Sequence, residues 1–201
     1  IKADLVQAGP PARTGPGVKV CVADSSLDTT LSDLPTPVEK YDVTTGATVA
    51  TWSTNVASTV SEHGTHVTGT VVGSGGYSGG KYKGIAPGAS LYFYKIGDNT
   101  TGGSTSADEI KAIQRAQTVG CKVFQMSYGY MGFDVDGSGS VEQAIDAATA
   151  AGMTSVIAAG NDGTHKFHAS TGSLATNASK GVSFTLNNTA ASAYKTPFYL
   201  T

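Results

Sequence analysis

SADEIKAIQRAQTVGCKVFQM, residues 106–126, places a helix directly before a strand. Ser106, with Glu109 three positions later, forms a capping box at the predicted helix start. Apolar residues then recur on one helical face as far as Gly120, which is a typical stop signal. The apolar run 123–126 predicts a buried strand. This stretch therefore indicates an α/β chain.

The same alternation extends to both sides of this unit. The short apolar runs 18–23, 91–96 and 153–159 predict further buried strands. A second helix precedes the last of them, and either Ser138 or Ser140 can cap it. Strands that alternate with helices of this length predict a doubly wound, mostly parallel sheet with helices on both faces.

The composition fits a compact enzyme. Of the 201 residues, 26 are glycine and 14% are charged, against about 25% charged in average globular proteins. The formal net charge is −2 and no block of like charges occurs, so we expect no nucleic-acid partner and no membrane partner. No apolar run reaches the roughly 18 residues that a bilayer-spanning helix needs.

Polar residues follow several of the predicted strands. In parallel sheets, ligands bind outside the carboxyl ends of the strands, so chemistry is expected at these positions. The residues are Asp24 after the first strand, Ser127, Tyr128, Gly129 and Tyr130 after the third, and Asn161 after the fourth.

Two histidines, His63 and His66, lie among small residues in SEHGTHVTGT, residues 61–70. A zinc-binding helix usually presents histidines four apart with a glutamate between them, whereas here the spacing is three. We interpret His66 as a packed or surface histidine without a chemical role. For His63 we expect a general base, because the buried carboxylate of Asp24 can accept its Nδ1 proton and fix its tautomer.

At these residues the sequence resembles the subtilisin-like serine proteases, or subtilases, over residues 15–163. VCVADSSLDTTLSDL, residues 20–34, is similar to the strand that ends in the family's catalytic aspartate, although Ser25-Ser26 replaces the usual Thr-Gly pair. HGTHVTGTVVG, residues 63–73, resembles the catalytic histidine motif, and GIAPGASLYFYKI, residues 84–96, is also family-like. The resemblance implies that Asp24 orients His63, which acts as the base.

Two further motifs extend the resemblance to the substrate site. MSYGY, residues 126–130, is similar to the segment that pairs with the extended backbone of the substrate, a form of strand addition. AAGND, residues 158–162, implies that Asn161 stabilises the oxyanion and that a pocket is lined by Ala158, Ala159 and Gly160. Loss of such a donor lowers turnover about 10²–10³-fold, a magnitude measured in this family.

The family's nucleophilic serine lies in a G-T-S-x-A-type motif, and this sequence contains none. We expect residues 1–163 to be the N-terminal part of a subtilase catalytic domain. Residues 164–201 are then a divergent segment, either the start of an insertion or a site of chain cleavage. Three explanations remain open: the product of a processed zymogen, a fragment, or an inactive relative. We favour the first two, with the serine on a second chain or on a C-terminal remainder.

Calcium is a further expectation. Asp33 matches a family position that contributes one ligand, but the loop expected to supply the others, residues 74–83, has no asparagine. The segment 133–142 has side chains near the spacing of a calcium loop, namely Asp134, Asp136, Ser138 and Glu142. The alternative is a polar loop whose serine caps the next helix and whose acids are favoured by the helix dipole.

The two cysteines, Cys21 and Cys121, fall at predicted buried strands. We expect free buried thiols, with a bridge as the alternative, since the sequence does not show that they touch.

Overall the sequence predicts a secreted serine endopeptidase that acts on protein or peptide substrates. A catalytically inactive peptide-binding module is the main rival, and a metallohydrolase is a distant third.

Overall fold

The computed structural model describes residues 2–48, 58–129 and 137–161, with the backbone alone for residues 58–60. In chain order the elements are α1 (Ala3–Ala8), β1 (Lys19–Asp24), β2 (Glu39–Asp42), β3 (Ala47–Thr48), α2 (Ser58–Val72), a 3₁₀ turn (Gly76–Ser78), β4 (Ser90–Lys95), α3 (Ser106–Val119), β5 (Val123–Met126), α4 (Ser140–Ala150) and β6 (Thr154–Ile157). No helix in these ranges is long and apolar enough to cross a bilayer.

The strands form one sheet in the order β3-β2-β4-β1-β5-β6. All neighbours are parallel except β3, which runs antiparallel to β2. The four strands predicted from apolar runs are present as β1, β4, β5 and β6, whereas β2 and β3 were not predicted. Asp24 lies opposite Lys95 in this register, so the aspartate ends a strand in the middle of the sheet.

Helices cover both faces of the sheet, as the sequence predicted. On one face α3 and α4 pack on a cluster that includes Tyr94, Phe124 and Met126. On the other face the valines in the C-terminal half of α2 pack on a second cluster that includes Val22 and Phe93. The α/β fold class is therefore confirmed, and the site predicted at the strand ends has a rigid layered support.

The helix caps differ in detail from those predicted. Thr105, not Ser106, is the N-cap of α3: its backbone is extended and its hydroxyl accepts the Asp108 amide at 3.2 Å. At α4 the N-cap is Gly139, and no side chain caps the helix. At α3 two neighbouring hydroxyl residues satisfy the spacing rule equally well, and only the backbone conformation selects one of them. At α4 the extended residue is a glycine, so a search for hydroxyl side chains misses it.

Cys21 and Cys121 form a disulfide, so the expectation of free thiols was wrong. Their Cα atoms are 6.0 Å apart, which is within the usual range for a bridge. The reason is the pairing of β1 with β5, in which the amide of Lys122 donates to the carbonyl of Lys19 at 3.0 Å. This register brings Cys121, two residues before β5, next to Cys21 in β1.

Candidate active site

Asp24 and His63 are in direct contact. Nδ1 of His63 lies 2.7 Å from Oδ1 of Asp24, and the aspartate side chain is fully buried while the histidine side chain is 55% exposed. The Ser25 amide and hydroxyl also donate to Oδ1, at 2.7 and 3.1 Å. A carboxylate that accepts the Nδ1 proton leaves Nε2 as an acceptor on the exposed side. The pair therefore has the geometry of an oriented general base.

A glycine allows α2 to approach the end of β1. A Cβ on Gly64 would lie 2.0 Å from the Ser26 carbonyl oxygen and 3.0 Å from Oδ1 of Asp24. Thr65 adds a bond to the same segment, since its Oγ1 accepts the Asp28 amide at 2.8 Å. His63 itself lies in the second turn of α2.

A buried lysine, Lys95, lies opposite Asp24 in the register of β1 and β4. The sequence analysis did not single it out. Lys95 is 1% exposed, and its Nζ donates to the Gly97 carbonyl at 2.5 Å and lies 3.5 Å from Oδ2 of Asp42. The signal in the sequence was a lysine inside the apolar run of β4. Since buried charges are normally paired, the lysine should have indicated a buried carboxylate partner.

The two predicted substrate segments lie side by side at the carboxyl edge of the sheet. Met126 pairs with Ile157, and the Ala158 amide donates to the Met126 carbonyl at 3.1 Å. A Cβ on Gly129 would lie 3.9 Å from the Ala158 carbonyl oxygen. The described members of the two segments are half-buried or exposed, namely Ser127, Tyr128, Gly129, Ala158, Ala159 and Gly160, and Asn161 is exposed immediately after them. Tyr130 lies outside the described residues.

Tyr128 makes a contact that the sequence did not reveal. Its ring lies edge-to-face against the ring of His63, with centroids 6.1 Å apart and planes at 86°. Its hydroxyl donates to the carbonyl of Gly102. The structure thus places a predicted substrate-binding residue against the predicted base.

The remaining predicted residues lie apart from this contact or outside the description. His66 is exposed on α2, as expected of a surface histidine. Asp134 and Asp136 fall outside the described residues, the Ser138 carbonyl accepts the Gln143 side chain at 2.8 Å, and Glu142 is exposed in the first turn of α4.

Asp33 lies against the loop that was expected to supply further calcium ligands. Oδ1 of Asp33 accepts the Ser74 hydroxyl at 2.8 Å, so the loop reaches this carboxylate through a neutral hydroxyl. Within the described ranges, no group of three or more His, Cys, Asp or Glu side chains could hold a metal ion. The calcium sites therefore stay a prediction, and no chemical step below depends on a metal.

Comparisons with known proteins agree with the geometry. Residues 15–196 match the model of the subtilase family, beyond the 15–163 covered by the motifs. The chain is 36% identical to subtilisin E of Bacillus subtilis (strain 168) over 150 residues, which is 75% of this chain and 36% of the relative. It is 37% identical to subtilisin DY of Bacillus licheniformis over 164 residues, which is 81% of this chain and 53% of the relative.

A solved structure shows the same likeness. Sphericase superposes with a TM-score of 0.60 at 29% identity, covering 75% of this chain and 48% of that one. The chain thus spans about a third to a half of the length of these relatives. The contact of a buried aspartate with a histidine, the shared sheet and the family match lead to one conclusion: the chain belongs to the subtilase family of serine proteases.

Proposed function

We propose that this chain carries the acid and the base of a secreted serine endopeptidase, and that a serine outside the chain completes the triad. The observation that carries the proposal is the 2.7 Å contact between Nδ1 of His63 and the buried Asp24. The substrates would be proteins or peptides, bound in extended form along the carboxyl edge of β5 and β6. The serine would lie on a C-terminal remainder or on a second chain.

The proposed chemistry is acyl transfer in two halves. Nε2 of His63 takes the proton from the serine hydroxyl as its oxygen attacks the peptide carbonyl, and Asp24 stabilises the resulting imidazolium. The amide of Asn161 donates to the oxyanion of the tetrahedral intermediate. His63 then gives its proton to the leaving amine, and water releases the acyl group by the same route in reverse.

The test is fluorophosphonate labelling of the protease isolated from its natural source, with the labelled polypeptide identified by mass spectrometry. We expect the label on a serine of a remainder or second chain that copurifies with this one. In the recombinant complete protease, His63→Ala should lower hydrolysis about 10⁴-fold or more. The matched control is His66→Ala, an exposed histidine of the same helix, which should retain activity.

Two results would contradict the proposal. One is a preparation in which no polypeptide takes the label and no peptide is hydrolysed. The other is peptide binding without hydrolysis that His63→Ala leaves unchanged, which would support the inactive peptide-binding module instead.

A further inference from the structure

His63 needs more than its hydrogen bond to transfer protons efficiently. The bond from Nδ1 to Asp24 fixes one atom of the ring but leaves the ring free to tilt about that bond. The side chain is also 55% exposed, so close packing does not surround it. A base whose Nε2 must face a serine oxygen and then a leaving nitrogen requires a second, lateral restraint.

Tyr128 is placed to provide that restraint. Its ring meets the imidazole edge-to-face, at 6.1 Å between centroids and 86° between planes. This is the arrangement that aromatic pairs prefer over a stacked sandwich. The contact reaches His63 from the end of β5, whereas Asp24 reaches it from the end of β1, so the ring is restrained from two strands.

The hydroxyl of Tyr128 fixes the ring that makes this contact. It donates to the carbonyl of Gly102, in the loop 97–103 between β4 and α3. That loop is closed by Asp98, whose carboxylate accepts the amides of Thr100 and Thr101 at 2.7 and 2.8 Å. The Asp98 amide donates to the Gly103 carbonyl at 2.8 Å, so the carbonyl that receives Tyr128 lies in a hydrogen-bonded turn.

The base of the loop is attached to the end of the central strands. Nζ of Lys95 donates to the Gly97 carbonyl at 2.5 Å. A Cβ on Gly97 would lie 2.5 Å from the Gly102 carbonyl oxygen and 2.9 Å from the Cα of Ser25. The loop therefore packs against the residue that follows Asp24, and the anchor of Tyr128 and the orienting acid share one support.

We propose that Tyr128 is a positioning residue for His63, with its ring against the imidazole and its hydroxyl anchored on the loop 97–103. The consequence for catalysis rests on the proposed function of His63 as the base. Loss of the ring should lower kcat about tenfold to hundredfold, since small misplacements of a catalytic group have effects of that size. Loss of a residue that only binds substrate would raise KM instead.

The first experiment needs no activity. The chain is labelled with ¹³C at histidine, and the ring signals of His63, assigned with His63→Ala, are recorded by NMR. Tyr128→Ala should shift and broaden them, and Tyr128→Phe should restore part of the native signal because it keeps the ring without the anchor. The control is Tyr41→Ala, which removes another half-buried tyrosine, one that packs on Tyr94, and should leave the His63 signals unchanged.

The second experiment uses the complete protease and the same variants. We expect Tyr128→Ala to lower kcat about tenfold to hundredfold with KM changed about twofold or less, and Tyr128→Phe to fall between it and the unmodified enzyme. Urea unfolding establishes that each variant is folded. Should Tyr128→Ala fail to fold, Tyr128→Leu removes the aromatic contact while it keeps apolar volume.

The outcomes separate this proposal from the one on which it rests. Unchanged His63 signals in Tyr128→Ala, or a raised KM with unchanged kcat, would overturn the positioning role. NMR signals that respond as expected in a protease without any hydrolysis would support the contact and overturn the proposed function.

Discussion

Gly64 is the residue on which the contact between Asp24 and His63 depends. Because it has no side chain, the backbone of α2 lies directly on the turn that follows β1. A Cβ there would be 2.0 Å from the Ser26 carbonyl oxygen, far inside any van der Waals distance. The carbonyl belongs to the backbone, so a larger residue requires the helix or the turn to move.

We expect Gly64→Ala to lower the free energy of unfolding by about 1–3 kcal/mol or more, which is typical of overpacking. Gly69→Ala is the matched control in the same helix, since its Cβ would meet only Leu34 at 3.8 Å. That change should be neutral or should stabilise the protein by up to about 1 kcal/mol, because alanine is the better helix former. Urea unfolding of both variants measures the difference, and equal effects would contradict the explanation.

The proposed role of His63 predicts a pH dependence. A protonated imidazole cannot accept the proton of the serine. The activity of the complete protease should therefore fall at acid pH, where the imidazole is protonated. Initial rates at saturating and at low substrate concentration test this, and a rate that does not vary with pH would contradict the assignment.

Asp98 gives the loop 97–103 its own dependence on pH. Hydrogen bonds from the Thr101 hydroxyl and from the amides of Thr101 and Thr100 lower the pKa of Asp98 to about 2. A carboxylate with a lowered pKa stabilises the fold above its unfolded value, near 4, and this contribution is lost as the pH falls towards 2. The stability advantage of the unmodified chain over Asp98→Asn should therefore shrink between pH 5 and pH 2.

Urea unfolding of both proteins across that pH range provides the measurement. Comparison with the variant at each pH cancels the effect of the other carboxylates, which are protonated in the same range. A difference that stays constant from pH 5 to pH 2 would show that the Asp98 carboxylate does not stabilise the loop.

At the scale of elements, the start of α3 shows how far local rules reach. Thr105 with Asp108 and Ser106 with Glu109 both satisfy the spacing of a capping box. The structure selects the first pair, since the Thr105 hydroxyl accepts the Asp108 amide and donates to the Asp108 carboxylate at 2.7 Å. Glu109 is instead one of the buried residues of α3, with 2% of its surface exposed.

Substitution of the two hydroxyl residues distinguishes these alternatives. Thr105→Ala should lower the free energy of unfolding by about 1 kcal/mol, the usual effect of losing an N-cap. Ser106→Ala should be neutral, because Ser106 is exposed in the first turn and alanine is favoured in helices. Thermal and urea unfolding of both variants suffice, and a larger loss for Ser106→Ala would show that the cap had been wrongly placed.

At the scale of the whole molecule, the Cys21–Cys121 bridge joins the central strand to the segment between α3 and β5. The two residues are separated by 100 positions, so the bridge closes a long loop in the unfolded chain. We expect its removal in Cys21→Ala/Cys121→Ala to cost about 2–5 kcal/mol. Reduction should destabilise the unmodified chain in urea and leave the double variant unaffected. If the reducing agent has no effect on the unmodified chain, the two cysteines are not bridged.

At the carboxyl edge of the sheet, some contacts could be predicted from the sequence and others could not. Asp24 was predicted because an acid that ends an apolar strand is costly unless it has a partner. His63 was predicted as that partner from its glycine-rich surroundings and from the family motif. Tyr128 was assigned to the substrate alone, because its contact with His63 depends on how β5 and α2 lie across the sheet.

The sequence by itself determined the order of the four central strands and of the helices between them, and the parallel α/β class, and it pointed to Asp24 and His63 as partners, because apolar periodicity and strand ends are local properties. Only the tertiary structure decided the bridge between Cys21 and Cys121, the burial of Lys95 against Asp42, and the ring of Tyr128 on His63. Each of these joins residues far apart in the chain. Their contact is fixed by strand register and helix packing, which depend on the whole sheet and not on any one segment.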